Sequence, residues 1–368
     1  MLRLARPFIP EAAIAEVAEV LRSGNLVQGE QVVRFEAALG EYLGVKHAIA
    51  VSSGTAALHV ALLALGIGPG DEVVVPSFTY PATANVVELC GARTILVDIG
   101  LDDYCLDTSL LEAVMTRKTR AVIPVHEFGQ AADMNGVLDF AQRHGLHVIE
   151  DAACALGTEY HGRKAGTLGE IGCFSFHPRK ALTTGEGGAV TTNDDRLADI
   201  VRSLRSHGFE ATATGRREFV RAGLNYRMTE FQAVLGRHQL MALDEELTLR
   251  RQQAHRYDSL LSGARNLKTP ARFPERRPVF QTYHVLLPGA IDRDAVIQQL
   301  KARDVETNLG AHALNCLPYY RDRYGAAPES FPAATRAYRS GLALPIGRHC
   351  GPADQQRVAA ALTEVLAS

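Results

Sequence analysis

One lysine in this chain stands at an address unusual for a long cationic side chain. Lys180 lies within Phe174-Ser175-Phe176-His177-Pro178-Arg179-Lys180-Ala181-Leu182-Thr183-Thr184-Gly185-Glu186-Gly187-Gly188, between a short apolar stretch carrying a hydroxyl and a cluster of glycines. An amine kept there is placed for covalent chemistry, because a lysine that sheds its proton adds to a carbonyl to form a Schiff base. The same letters admit a plainer reading. Most lysines are solvated surface charges, and glycines ahead of Ala189-Val190-Thr191-Thr192 also suit a hairpin turn. A nucleotide-binding loop is excluded, since Lys180 precedes the glycines instead of closing a GxxxxGK[ST] sequence.

The elements around it decide between these readings. A strand over 48–51 leads into Ser52-Ser53-Gly54-Thr55 and an apolar helix over 56–65. Small and hydroxylated residues at a helix start leave backbone N–H groups open, where the helix dipole favours an anion; simple capping by Ser53 or Thr55 accounts for the same pattern. After Pro69-Gly70-Asp71 strands and helices alternate: a strand over 72–75 before Tyr80, a helix over 82–89, and a strand over 94–97 ending at Asp98. Next come a helix near 108–116, a strand over 121–125 ending at His126, a helix near 136–144, and a strand over 147–149 ending at Glu150-Asp151. Short β-branched strands alternating with helices predict an α/β fold with a mostly parallel sheet covered on both faces. Ligands of such sheets bind beyond the carboxyl ends of the strands. Tyr80, Asp151 and the Ser53-Gly54-Thr55 turn fall on that edge, as does Ser175 if 173–176 is a strand.

An aromatic ring, a carboxylate, an anion-binding turn and a lysine together meet the needs of a phosphorylated pyridine aldehyde. The lysine forms the Schiff base, the ring stacks on the pyridine, and the turn takes the phosphate. The carboxylate keeps the ring nitrogen protonated. At about 3 Å and an effective dielectric near 20, its Coulomb energy is roughly 5 kcal/mol before desolvation.

On these residues the chain resembles the sugar aminotransferases of the DegT/DnrJ/EryC1/StrS family, fold-type-I enzymes that use pyridoxal 5'-phosphate. The resemblance runs from Ser23-Gly24, Gly29 and Phe35-Glu36 to Leu344-Pro345, and Ser175-Phe176-His177 with Lys180 and Gly185-Glu186-Gly187-Gly188 is specific to it. It implies a seven-stranded, mostly parallel sheet in a large cofactor-binding domain over 1–245, and a smaller C-terminal α+β domain over 246–368 that begins with a linking helix. Lys180 looks like the Schiff-base lysine, Asp151 the partner of the pyridine nitrogen and Tyr80 the stacking ring. Gly54, Thr55 and Ser175 look like phosphate ligands. Asn225, in Gly223-Leu224-Asn225-Tyr226-Arg227-Met228, matches an asparagine that reaches the phosphate of a neighbouring subunit, implying a homodimer with shared active sites. The implied reaction is a ping-pong transamination through the pyridoxamine form, from glutamate or glutamine to a ketosugar, with Lys180 shuttling the proton. His177, Arg227 and His312 are candidate substrate contacts; structural roles for His177, before Pro178, and for His312 stand beside these.

The chain departs from the family at two places. Cys154 stands near the cofactor hydroxyl where Gln or His is common, and a thiol bonds more weakly. Gly310-Ala311, Ala313 and Asn315 replace a His-Tyr pair, a proline and a histidine that border the sugar. A non-nucleotide acceptor such as a keto-cyclitol is therefore the alternative to a nucleotide-linked sugar. A dehydratase is disfavoured because Lys180 is present. A sulfur-extracting lyase would rest on Cys316 alone, and a regulatory protein would lack a DNA-binding segment.

Composition agrees with an enzyme of small molecules. The 368 residues suggest two or three units at roughly 150 residues per domain, and 46% are hydrophobic. A net charge of −2 gives no electrostatic reason to expect nucleic acid or an acidic membrane surface. The N-terminus lacks a signal-like apolar core and no stretch is long enough to span a membrane. Six cysteines without ligand spacing point to reduced thiols in the cytoplasm and to no metal. Helices over 11–22 and 30–43, a charged helix over 231–260, strands over 280–287 and 305–308, and helices over 293–302 and 353–366 complete the expected order.

Overall fold

Valine-rich strands buried on both faces organise the molecule, a computed structural model that describes residues 1–211, 215–264 and 266–367. All five residues of Glu72–Pro76 are buried, as are all five of Gly188–Thr192. Seven strands form one sheet in the order His47–Val51, Gly188–Thr192, Ile171–Ser175, His147–Asp151, Thr119–Val122, Glu72–Pro76, Arg93–Val97. Only Gly188–Thr192 runs against the others. Alternation of side chains across each strand feeds two layers. Ile49, Val51, Val73 and Val75 pack on helices Gly54–Ala64, Ala82–Leu89 and Asp195–Leu204. Ala48, Ala50, Phe174 and Ala189 pack on Glu30–Leu43 and Glu230–Met241, while Val74 and Val122 meet Met134–His144. This is the α/β fold with a seven-stranded, mostly parallel sheet that the sequence predicts.

A second apolar cluster gathers around the antiparallel pair Tyr283–Leu286 and Gly341–Leu344, covered by Arg293–Lys301 and Pro352–Ala367. The charged helix expected over 231–260 is two helices, Glu230–Met241 and Leu243–Leu261, broken at Ala242 (φ −99°, ψ 3°). The break lets Leu243 and Leu247 join the sheet's cluster while Ala254, Tyr257 and Leu261 join the second one.

Other differences have local causes. The strand expected over 121–125 is Thr119–Val122, because Pro124 has no N–H to donate to a ladder. Phe280 takes a positive φ of 49°, so the strand expected from 280 begins at Tyr283. The segment 305–308 makes only single bridges, Val305 to Leu2 and Asn308 to Ala343. The helix near 108–116 is a 3-10 turn, Thr108–Leu110, followed by the short Leu111–Val114. Helix Asp195–Leu204, capped by Asp194, was not expected.

Candidate active site

Strand His47–Val51 delivers the chain to the N-terminus of Gly54–Ala64 at the carboxyl edge of the sheet. Ser53 is extended, and its Oγ accepts a hydrogen bond from the Ala56 amide at 3.0 Å. The amides of Gly54 and Thr55, in the first helical turn, have no intrahelical acceptor. Glycine is needed at 54, since a Cβ there would lie 2.7 Å from the Ser175 Cβ and 3.2 Å from its Oγ. The Ser175 hydroxyl is thereby held against the open helix end.

Asp151 closes the central strand His147–Asp151. Its Oδ2 accepts from Thr83 Oγ1 at 2.7 Å and its Oδ1 from the Ala153 amide at 3.1 Å. Burial pushes this carboxyl above the usual range, although Thr83, the Ala153 amide and Lys180 all pull it down. Its neighbour Glu150 points to the opposite face, where it binds buried His126 at 2.8 Å and accepts the amides of Gly166, Leu168 and Gly169.

Lys180 follows a tight turn in which its amide donates to His177 O at 2.8 Å. Thr183 Oγ1 donates to Phe176 O at 2.8 Å, and Gly185 takes a φ of 83°. Lys180 Nζ lies 2.9 Å from Cys154 Sγ. Burial works against the ammonium, but its contact with Cys154 and the nearby carboxyls of Asp151 and Glu127 outweigh it and hold the lysine above its ordinary value. Glu127 itself is pushed up to about 8 by burial, with Lys180 pulling it down and Asp151 pushing it up. Burial also raises the Cys154 thiol and lowers His177. The His177 Nδ1 accepts from the Arg179 amide at 3.2 Å, so this ring also braces its turn.

These groups share one cavity of about 410 Å³, within the range of roughly 300–1,000 Å³ usual for small-molecule sites. It brings together Gly54, Thr55, Tyr80, Asp151, Cys154, Ser175, His177 and Lys180. Three other candidates do not line it. Asn225 is exposed and its backbone pairs with Ser206; Arg227 donates to Ser206 Oγ at 3.0 Å. His312 sits behind the wall, its ring 6.3 Å from Tyr80 and 6.0 Å from Tyr338, and burial lowers its pKa. Cys316 is likewise off the cavity, its Sγ 3.8 Å from Thr335 Oγ1.

Sequence reasoning passed over Thr83, Glu127 and Asn308, which line the same cavity. Thr83 stands four residues after Thr79 at a helix start, and Glu127 directly after His126 beyond a predicted strand; both positions carried a signal. The residues present suit a phosphorylated pyridine aldehyde: a glycine cradle a Cβ would fill, a free helix end, a buried carboxylate and an amine. No group of three or more His, Cys, Asp or Glu able to hold a metal occurs among the described residues.

Comparison with known proteins agrees with this chemistry. The model of the DegT/DnrJ/EryC1/StrS aminotransferase family matches residues 7–363. GDP-perosamine synthase of Caulobacter vibrioides is 45% identical over 92% of this chain and 91% of its own. UDP-4-amino-4-deoxy-L-arabinose–oxoglutarate aminotransferase of Shewanella sediminis is 35% identical over 99% of this chain and 98% of its own. A crystal structure of a DegT DnrJ EryC1 StrS aminotransferase from Brucella abortus superposes with a TM-score of 0.90 at 34% identity, covering 97% of this chain and 95% of that one.

Proposed function

Because the chain belongs to the DegT/DnrJ/EryC1/StrS aminotransferase family and is a pyridoxal-phosphate-dependent transaminase of the sugar class, we propose that it aminates the keto group of a nucleotide-linked sugar, with glutamate or glutamine as donor. The observation that carries the site assignment is the cavity in which Lys180 faces Asp151 beyond the open end of Gly54–Ala64. Pyridoxal phosphate, when bound, supplies a carbonyl for amines and an electron-accepting ring.

The chain's own residues do the rest. Lys180 would be the amine that bonds to that carbonyl and, as a free amine, the group that holds and returns the proton. Asp151, buried and oriented by Thr83, holds the proton on the ring nitrogen. Tyr80 would stack on the ring, and Gly54, Thr55 and Ser175 would hold the phosphate. Cys154 stays beside Lys180 as a weak polar neighbour. Asn225, exposed and away from its own cavity, belongs in the site of a second copy, which makes the protein a homodimer with shared sites. The same reading places it in the cytoplasm and divides it into a cofactor-binding part over 1–245 and a smaller part over 246–368. No helix among the described residues is long and apolar enough to cross a membrane.

Two relatives act, by name, on GDP- and UDP-linked sugars, and this supports a nucleotide-linked acceptor. The second reading, a non-nucleotide ketone such as a keto-cyclitol, draws on Gly310 and Ala311: they line the cavity and offer it no hydrogen-bonding side chain. Visible absorbance of the purified protein tests the cofactor; Lys180→Ala is expected to abolish the band that borohydride removes, and its survival would refute the assignment. A panel of nucleotide-linked ketosugars and free keto-cyclitols, offered to the amino form, decides between acceptors.

A further inference from the structure

We propose that Glu127 is a positioning residue of the transamination site, a buried carboxyl whose charge acts on Lys180 across the cavity they share and steadies the lysine's ammonium. The inference rests on the reading of Lys180 given above.

Four observations carry it. First, the fold holds Glu127 in place at a cost. Its neighbour Phe128 has a φ of 56°, a left-handed conformation that a bulky residue rarely adopts. That turn is locked from several sides: Phe128 stacks on His284 at 4.3 Å, Thr158 Oγ1 donates to Gly129 O at 2.7 Å, and the Val279 amide donates to the same oxygen at 3.1 Å. Gly129 has no room for a side chain, as a Cβ would lie 2.7 Å from Val279 Cγ2 and 3.0 Å from Cys154 O.

Second, Glu127 is only 5% exposed, yet it lines the cavity together with Lys180, Asp151 and Cys154. Third, no side chain among the described residues bonds to its carboxyl; the stabilising hydrogen bond comes from the Phe128 backbone. The contrast is with other buried carboxylates. Glu150 binds a histidine and three amides, Glu230 takes three amides, and Asp98 takes the amides of Ala333 and Ala334 at 2.9 Å each. A carboxylate buried without such partners stays protonated or shares the charge of a nearby cation.

Fourth, the surrounding charges leave Lys180 as that cation. On the cavity side Glu127 faces Lys180, Asp151 and Cys154. On its other side lie Asp102, Asp103, Tyr104 and His284, and both aspartates are already paired, Asp103 with Arg276 and Asp102 with Lys268, at 2.6 Å each. Glu186, Arg179 and His177 also line the cavity, but the charges that act on Lys180 are those of Asp151 and Glu127, beside its contact with Cys154. With Asp151 already held by the Thr83 hydroxyl and the Ala153 amide, Glu127 is the carboxyl left to balance the charge of Lys180.

The test uses the full-length chain freed of cofactor, with Lys180 labelled by acetic anhydride across pH and the yield read by mass spectrometry. Glu127→Gln is expected to lower the labelling midpoint of Lys180 by about one unit, as loss of an opposite charge requires. Glu127→Asp, which keeps the carboxyl but withdraws it by one methylene, is expected to lower it by less. An unchanged midpoint in either folded variant, with only thermal stability reduced, overturns the proposal, as does an equal shift in both. The labelling needs no cofactor, so its failure is separate from failure of the cofactor test on Lys180→Ala.

Discussion

Replacing Thr83 by valine removes one hydroxyl and nearly preserves the side chain's shape. That hydroxyl lies 2.7 Å from Asp151 Oδ2 and is the only side-chain hydrogen bond to this carboxyl among the described residues. A hydrogen bond to a charged group contributes about 1.5–3 kcal/mol, and one pKa unit corresponds to about 1.4 kcal/mol, so Thr83→Val is expected to raise the Asp151 pKa by about 1–2 units. The sign then follows. Asp151 already sits above its unfolded value because it is buried. Activity needs the carboxylate, and losing a donor to it moves the acid-side fall of activity in the variant to higher pH. Stability moves in the matching direction: a carboxyl with a raised folded pKa favours folding at low pH and loses that contribution as pH rises through the folded value. Thr83→Val therefore destabilises the protein more at pH 8 than at pH 5. The assays are kcat/KM against pH at saturating cofactor, and thermal midpoints at the two pH values. An acid limb identical to the parent's, or an equal loss of stability at both pH values, would refute the role given to this hydroxyl.

Two further changes probe the supports of the site. Gly54→Ala puts a methyl 2.7 Å from the Ser175 Cβ and forces the helix end away from that hydroxyl; pyridoxal phosphate affinity, followed by absorbance titration, is expected to weaken at least about tenfold. Unchanged affinity would mean that the close approach serves packing alone. Glu230→Ala removes the acceptor for the Gly29, Gln31 and Val32 amides, at 2.8, 2.9 and 3.0 Å, from the start of Glu30–Leu43. Loss of a buried, charge-assisted cap is expected to cost about 3 kcal/mol in urea unfolding, and a cost below about 1 kcal/mol would show that water replaces the carboxylate.

The sheet was legible because its strands repeat one signal: short apolar runs such as Val73-Val74-Val75, buried on both faces and punctuated by turns. The site residues on strand ends and helix starts were legible for the same reason, since Asp151, Ser175 and Gly54 inherit their places from those elements. Legibility failed where tertiary contact overrides local pattern. Nothing in the run from Phe231 to Leu260 shows the break at Ala242, which exists so that one chain segment can pack into two clusters. His312 lies in the segment expected to border the substrate, but pairing with Thr79 sets its ring behind Tyr80. Asn225 lies off the cavity of its own chain, and its motif gave it to a neighbouring subunit's site, whereas Arg227, from the same motif, donates to Ser206 instead of lining the cavity.

Buried charge sorts itself in this molecule by how completely it is satisfied. Along one strand, Glu150 faces a histidine and three backbone amides, whereas Asp151, one residue later and on the other face, keeps one hydroxyl and one amide. Arg205 is tied to Glu36 and to Ala50 O, and Glu36 in turn accepts the Ala50 amide at 2.8 Å. Such paired sets hold elements together, because breaking one member strands the rest. Lys180, Asp151 and Glu127 form an open set: each is desolvated, Lys180 is shifted by both carboxyls and each carboxyl by Lys180, and all three line the cavity. An arrangement of that kind is destabilising as pure architecture. Its persistence at the carboxyl edge of an otherwise well-satisfied sheet is accounted for by ligands that complete it, which is the same condition that makes its protons available for chemistry.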